Sequence, residues 1–232
     1  MSPSQLLRAS SGHIRLRLFR DLVLLVLFTV GVLATVSWLL ITELKEAVAE
    51  SKITSFTALV RDEVTNLLVP VERQLLIVRD SLRNAGLTPA DRRPLDQLMA
   101  PVMGNLDQIA GTAYADSSGS EYFLVRDGDG WLTRTRSAGG DGEATWAQWI
   151  TSGNDTAARE GTLDYDPRRR PWFQAAKSAD PSPVWTGPYV FHSLKVPGMT
   201  AAVAWEDGKK HVLAMDVGLA RIVETVETMP LD

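Results

Sequence analysis

The 232-residue chain contains no cysteine, which excludes disulfides, thiolate catalysis and Cys-ligated zinc while leaving an oxidising compartment open. Histidine is almost as scarce. His13, His192 and His211 stand far apart without HExxH or other ligand spacing, and the carboxylates are not grouped to replace them, so neither a metal nor a cofactor is expected. No Ser/His/Asp order, phosphate loop or pair of catalytic carboxylates emerges, which makes an enzyme the least favoured reading. No internal repeat is evident.

What the chain does have is one run of twenty residues without a charge, Leu22 to Ile41. At about 1.5 Å per helical residue such a run spans about 30 Å, the thickness of a bilayer core. Arg8, Arg15, Arg17 and Arg20 precede it and Glu43, Lys45, Glu46 and Glu50 follow, so the positive-inside rule places residues 1–21 in the cytoplasm, 22–42 across the inner membrane of a bacterium and the remainder outside. A cleaved signal peptide would need a shorter apolar run and a small-x-small site after Ile41. The 42 N-terminal residues hold four of the 24 basic and one of the 28 acidic residues, which leaves 20 and 27 outside, a net of −7. That balance argues against nucleic acid and against an anionic membrane surface as partners.

Residues 43–110 read as helical. Apolar residues recur at three- and four-residue steps through Leu44, Val48, Phe56, Leu59, Val64, Leu68, Val71, Leu75 and Val78, with Pro70 expected to kink or break the helix and Gly86 to close it. The stripe suits either a face packed on the following domain or a dimer seam. Thr88 is a candidate N-cap for further helix to about Ala110, interrupted by Pro94 and Pro101. From Thr112 the pattern changes to an antiparallel meander with turns at Ser117-Ser118-Gly119 and Asp127-Gly128-Asp129-Gly130; the second turn lacks the glutamate that would close a calcium loop. Trp146 and Trp149 are expected on a short helix, Ser152 to Asp155 in a loop, Trp172 to Ala179 in a helix, three strands at 184–191, 199–205 and 211–217, and a last helix at 219–228. Helices followed by strands around one antiparallel sheet define an α+β fold.

Tyr165-Asp166-Pro167-Arg168-Arg169-Arg170-Pro171-Trp172-Phe173 is the segment richest in chemistry. Two prolines fix φ on either side of three arginines. A guanidinium held beside an indole offers planar donors and a dry wall to a small carboxylate, although the same residues would also serve a salt-bridged surface loop. Alternation along an extended segment would turn Arg168 and Arg170 to one side and Arg169 to solvent, with Asp166 and Arg168 in a structural role. Asp216, ending an apolar strand, suits either a ligand contact or a cap for the last helix.

This motif, together with Val184-Trp185-Thr186-Gly187-Pro188-Tyr189-Val190-Phe191 and Leu213-Ala214-Met215-Asp216-Val217, resembles the double Cache sensor family over about residues 43–228. The resemblance implies a PAS-like module at residues 111–229 with a ligand cavity between sheet and loops. It implies a carboxylate clamp of Arg170 with Trp172, and Tyr165, Phe173, Tyr189 and Asp216 as further ligand contacts. Phe173 stands where the family has tyrosine and Phe191 where it has aspartate, so a small organic acid is expected ahead of an α-amino acid. The family's members are histidine kinases, chemoreceptors and cyclases, which implies signal input through a homodimer of long helices. An anchored ligand-binding or scaffold protein without signalling is the alternative. The chain is expected to be either the N-terminal part of a larger receptor or a stand-alone anchored module.

Overall fold

The computed structural model describes residues 3–139, 142–150 and 154–227, and the side chains of all of these except 3–18, 39–60 and 225–227. The side chains of the expected apolar positions Leu44, Val48, Phe56 and Leu59 and of the basic flank Arg8, Arg15 and Arg17, and positions 152, 153 and 228 altogether, lie outside what is described. The chain forms two units, Met1–Leu59 and Val60–Asp232. The first is helical throughout its described part, and Phe19–Trp38 within it, with a mean hydropathy of 2.1 and exposed side chains, is long and apolar enough to cross a membrane.

The second unit opens with the end of helix α1 (Pro3–Ala85), followed by α2 (Arg92–Asn105). Val71, Leu75, Val78 and Leu82 recur on one face of α1 and are fully buried with Leu95, Met99 and Met103 of α2. In this part the stripe packs on its own domain. The helix runs unbroken through Pro70, one residue before the buried Val71, where core packing outweighs the lost backbone bond. Gly86 ends it at φ 64°, with Leu87 N–H bonding back to Leu82 O at 3.1 Å. Thr88 is not the cap of α2: the helix begins at Arg92, and Thr88 donates through its amide and hydroxyl to Asp91, both at 2.7 Å. Pro94 falls in the first turn, where amides have no partner to lose.

The sheet is antiparallel: β1 (Ile109–Asp116), β2 (Glu121–Asp127), β3 (Gly130–Arg136), β4 (Glu143–Trp149), β5 (Asp155–Thr162), β6 (Val184–Trp185), β7 (Tyr189–Val190), β8 (Pro197–Asp207) and β9 (Lys209–Gly218). Its order is β5-β4-β3-β2-β1-β9-β8-β6, with β7 also pairing β8. A 3-10 turn (Pro167–Arg169) and α3 (Pro171–Ala179) lie between β5 and β6, and α4 (Leu219–Glu227) follows β9. This is an α+β, PAS-like arrangement.

The expectations for the stretch from β4 to β7 need correction. Trp146 and Trp149 lie on strand β4, not on a helix. Two neighbouring strands supply its ladder partners, and three-residue spacing then sends the rings to opposite faces. Between the loop expected at 152–155 and Tyr165, where no element was expected, lies β5, an edge strand whose residues are all exposed and so carry no alternation. The strand expected over 184–191 is split in two around Gly187-Pro188.

The central strands are covered on both faces. One face carries Tyr114, Tyr122, Leu124, Val203, Leu213, Met215 and Val217 against α1 and α2. The other carries Ala113, Ala115, Ala202, Ala204 and Ala214, small residues that admit Trp172, Phe173 and Ala176 of α3. On the first face Asp96 of α2 is completely buried and accepts from the Tyr122 hydroxyl (3.0 Å) and Thr133 (2.7 Å), while Trp149 donates to Thr133 (2.8 Å). Arg92 ion-pairs with Asp96 at 3.3 Å without hydrogen-bond alignment and grips Asp155 of β5 at 2.6 and 2.9 Å. Burial raises the Asp96 pKa against the pull of Thr133 and Arg92. Asp96→Ala strands two hydroxyls and is expected to cost about 2–4 kcal/mol in urea denaturation followed by tryptophan fluorescence.

Candidate functional site

The Tyr165–Phe173 segment is held by its own chemistry. Asp166 caps the 3-10 turn by accepting the Arg168 amide at 3.0 Å, and Pro171 starts α3 at the position where a missing N–H costs nothing. Because the backbone turns here, the extended alternation expected for the three arginines does not hold. Arg168 is drawn back onto Asp166 through two hydrogen bonds of 2.9 Å, and Arg169 is exposed. Arg170, extended at φ −81° and ψ 149°, turns its guanidinium over the Tyr165 ring at 5.5 Å. Among the described residues no carboxylate pairs with Arg170.

Arg170, Trp172 and Tyr165 line one small, partly enclosed cavity of about 20 Å³ together with Tyr189 and Asp216. The sheet contributes Ala113 and Phe123, and the loop after β7 contributes Phe191, His192, Ser193 and Leu194. Five of the six residues expected at the site thus converge. The sixth, Phe173, does not line the cavity. It is buried among the alanines of the sheet, edge-on to Trp172 at 5.6 Å, because adjacent helical residues point about 100° apart. Phe191 is a cavity wall fixed from behind by Gly198, where a Cβ would fall 2.1 Å from the ring.

Asp216 does not turn to the last helix. Its side chain lies between β8 and β9 and accepts from Thr200 at 2.6 Å; Thr200 in turn receives the Tyr189 hydroxyl at 2.7 Å. Burial pushes the Asp216 carboxyl up to about 7, with Thr200 and Arg170 opposing and Glu121 adding to the rise. His192 is lowered by burial and then by Lys195, Arg170 and Arg134, and it lies 4.9 Å from the Tyr165 ring. With a free guanidinium on one wall and a half-neutral carboxyl on another, the cavity is electrostatically suited to an anion near neutral pH.

Sequence reasoning missed Glu121 and Arg134. Both are buried, paired at 2.7 Å across β2 and β3, and Arg134 further donates to Ser193 at 2.7 Å. Its guanidinium packs over Phe123 (4.7 Å) and Tyr165 (4.8 Å). Among the described residues Glu121 Oε1 is buried without a hydrogen bond of ordinary geometry, and burial, followed by the charge of Glu121 and its closeness to the phenol, drives Tyr165 well above its ordinary pKa. The one sequence signal was a glutamate opening the otherwise apolar run Tyr122-Phe123-Leu124-Val125. Tyr165 and Arg170 also line a second, open cavity of about 510 Å³ with Arg136 and Arg169. Among the described residues no group of three or more His, Asp or Glu side chains is placed to hold a metal ion.

No family model matches the chain, and no curated protein matches it. Among solved structures, the sensory domain of the Campylobacter jejuni chemoreceptor Tlp3 (CcmL) with isoleucine bound is similar, with a TM-score of 0.52 and 15% identity over 82% of this chain and 66% of that one. The Tlp3 ligand-binding domain in complex with L-valine gives 0.50 and 17% over 82% and 67%. The ligand-binding domain of the Pseudomonas aeruginosa PAO1 amino acid chemoreceptor PctB in complex with L-Gln gives 0.50 and 18% over 76% and 58%. At these identities the likeness establishes a shared fold. This chain spans 58% of the PctB domain and about two thirds of the Tlp3 domain.

Glu121→Ala leaves Arg134 buried and unpaired and is expected to cost about 3–5 kcal/mol in chemical denaturation. The double variant Glu121→Leu, Arg134→Met should recover most of that loss, and a double variant no better than the single one would count against the pair as the source.

Proposed function

We propose that this chain is the membrane-anchored ligand-binding module of a receptor, of the double Cache type, and that its partly enclosed cavity beside Arg170 binds a small carboxylate-bearing metabolite, an organic acid or an amino acid. The observation that carries the reading is Arg170, a guanidinium on the cavity wall with an indole, two phenols and no carboxylate partner among the described residues. The chemistry is recognition, without catalysis. The fold likeness to chemoreceptor domains whose structures hold amino acids supports it. The arginine-rich flank before Leu22 supports a cytoplasmic N-terminus, a bacterial inner-membrane span and an extracytoplasmic sensor. In this reading two copies meet along the long helix, and the ligand biases the helices by its differential affinity for two states.

A cavity of about 20 Å³ has room for about one water. Ligand binding therefore displaces the turn Phe191–Val196, which is held by Phe191 N–H to Val196 O (2.9 Å), Lys195 N–H to Phe191 O (2.9 Å) and Arg134 to Ser193. Opening of such a loop is how a buried site both admits and reports a ligand.

A thermal-shift screen of the full chain in lipid nanodiscs against organic acids and amino acids tests the proposal. At a hundred times Kd a ligand adds about 2.7 kcal/mol. The hit should vanish in Arg170→Ala while the unliganded melting temperature holds, and unchanged affinity in that variant would remove the carboxylate clamp. The pH dependence then tells the two ligand classes apart. The Asp216 proton is held up to about pH 7. A carboxylate without a cation should bind best below that pH and weaken as Asp216 ionises, whereas an ammonium-bearing ligand should bind better as pH rises. Asp216→Asn should flatten either profile between pH 6 and 8 in titration calorimetry.

A further inference from the structure

The β2–β5 half of the sheet carries a second concave surface that the carboxylate clamp does not use. Phe123, Arg134, Trp146 and Arg159 lie directly opposite one another on successive strands, so they form one row on one face. The row alternates aromatic ring and guanidinium, with Arg134 4.7 Å over Phe123 and Arg159 4.1 Å over Trp146. Val125 and Leu132, paired on β2 and β3, continue the apolar floor. Leu163 and the His192–Lys195 turn close the sides of a cavity of about 380 Å³. That volume falls within the range of about 300–1,000 Å³ typical of small-molecule sites.

The charge of this cavity is one-sided. No acidic residue lines it, in a chain whose formal net charge is −4. Arg134 is neutralised by Glu121, but Arg159 and Lys195 have no carboxylate partner among the described residues. A planar guanidinium stacks on an aromatic ring as readily as it pairs with a carboxylate, and an ammonium on a flexible stem completes a two-point grip on an anion. We propose that this cavity is a second ligand site, and that it takes a flat aromatic carboxylate, with the ring on the apolar floor of Val125 and Leu132 and the carboxylate between Arg159 and Lys195. The site shares Phe123, His192, Ser193 and Leu194 with the first cavity but none of Arg170, Trp172, Tyr189 or Asp216, so it stands without the clamp.

Titration calorimetry of the full chain in nanodiscs with 1-naphthoate tests this, with empty nanodiscs as blank and acetate and 1-naphthamide as ligands lacking the ring or the charge. Saturable binding of naphthoate is expected, with both controls weaker by about tenfold or more. Arg159→Ala and Lys195→Ala, which change exposed side chains, should each weaken binding about tenfold, and Arg170→Ala should leave it unchanged. Four results would overturn the proposal: no saturable signal above empty discs, naphthamide binding as tightly as naphthoate, both cation variants binding like the wild type, or loss in Arg170→Ala with retention in Arg159→Ala. The last would put naphthoate in the first cavity, so failure here and failure of the clamp are separately readable.

Discussion

Side chains of a strand alternate, and in β1, β8 and β9 both alternating sets are in use. One set, running through Tyr114, Val203, Leu213 and Met215, joins α1 and α2 in the larger core. The other, running through Ala113, Ala202 and Ala214, is cut down to methyl groups so that α3 can press its indole and phenyl rings onto the sheet. Everything in the first cavity depends on that division. Asp216 and Thr200 belong to the small-residue face by register, and Trp172 reaches the cavity because the alanines beneath α3 let it approach. Shifting any of these strands by one residue would exchange the faces and dismantle core and cavity together.

The electrostatics follow from the same packing. A buried carboxylate that lies near an arginine ordinarily ionises more readily, yet desolvation outweighs Arg170 at Asp216 and leaves it titrating near neutrality. At Glu121, Arg134 is held against the carboxylate by two nitrogens. Of the two arginines that flank the Tyr165 ring, one is thus occupied and the other open. Arg134 serves the architecture, tying β2, β3 and the Ser193 turn together, and Arg170 has no carboxylate partner among the described residues.

Local signals in the chain proved sufficient for elements with a strong period or a decisive cap. The stripe Val71-Leu75-Val78, the left-handed Gly86, α3, β8, β9 and the meander through β1, β2 and β3 were all legible, whereas the gathering of Tyr165, Arg170, Trp172, Tyr189 and Asp216 was implied by the resemblance to the double Cache motifs and by no local signal. Signals failed where the deciding contacts are remote. β4 and β5 become strands because of their neighbours, and an exposed edge strand writes no alternation into its sequence. Thr88 looked like a cap because Ser and Thr are good ones, but Asp91 lay three residues on and took its donors.

By itself, then, the sequence determined the apolar span, the buried face of the described helices and the proline-flanked segment that carries three arginines, because each rests on residues within a few positions of one another. Which arginine stays free, where Phe173 points, how Glu121 meets Arg134 and how Phe123, Arg134, Trp146 and Arg159 come to stand in a row were decided only by the tertiary structure. Those relations depend on strand register and on the pairing of segments up to a hundred residues apart, such as Thr112 with Ala214, separated by 102 positions. No local pattern encodes them, since the partner that fixes each side chain is brought there by the rest of the fold.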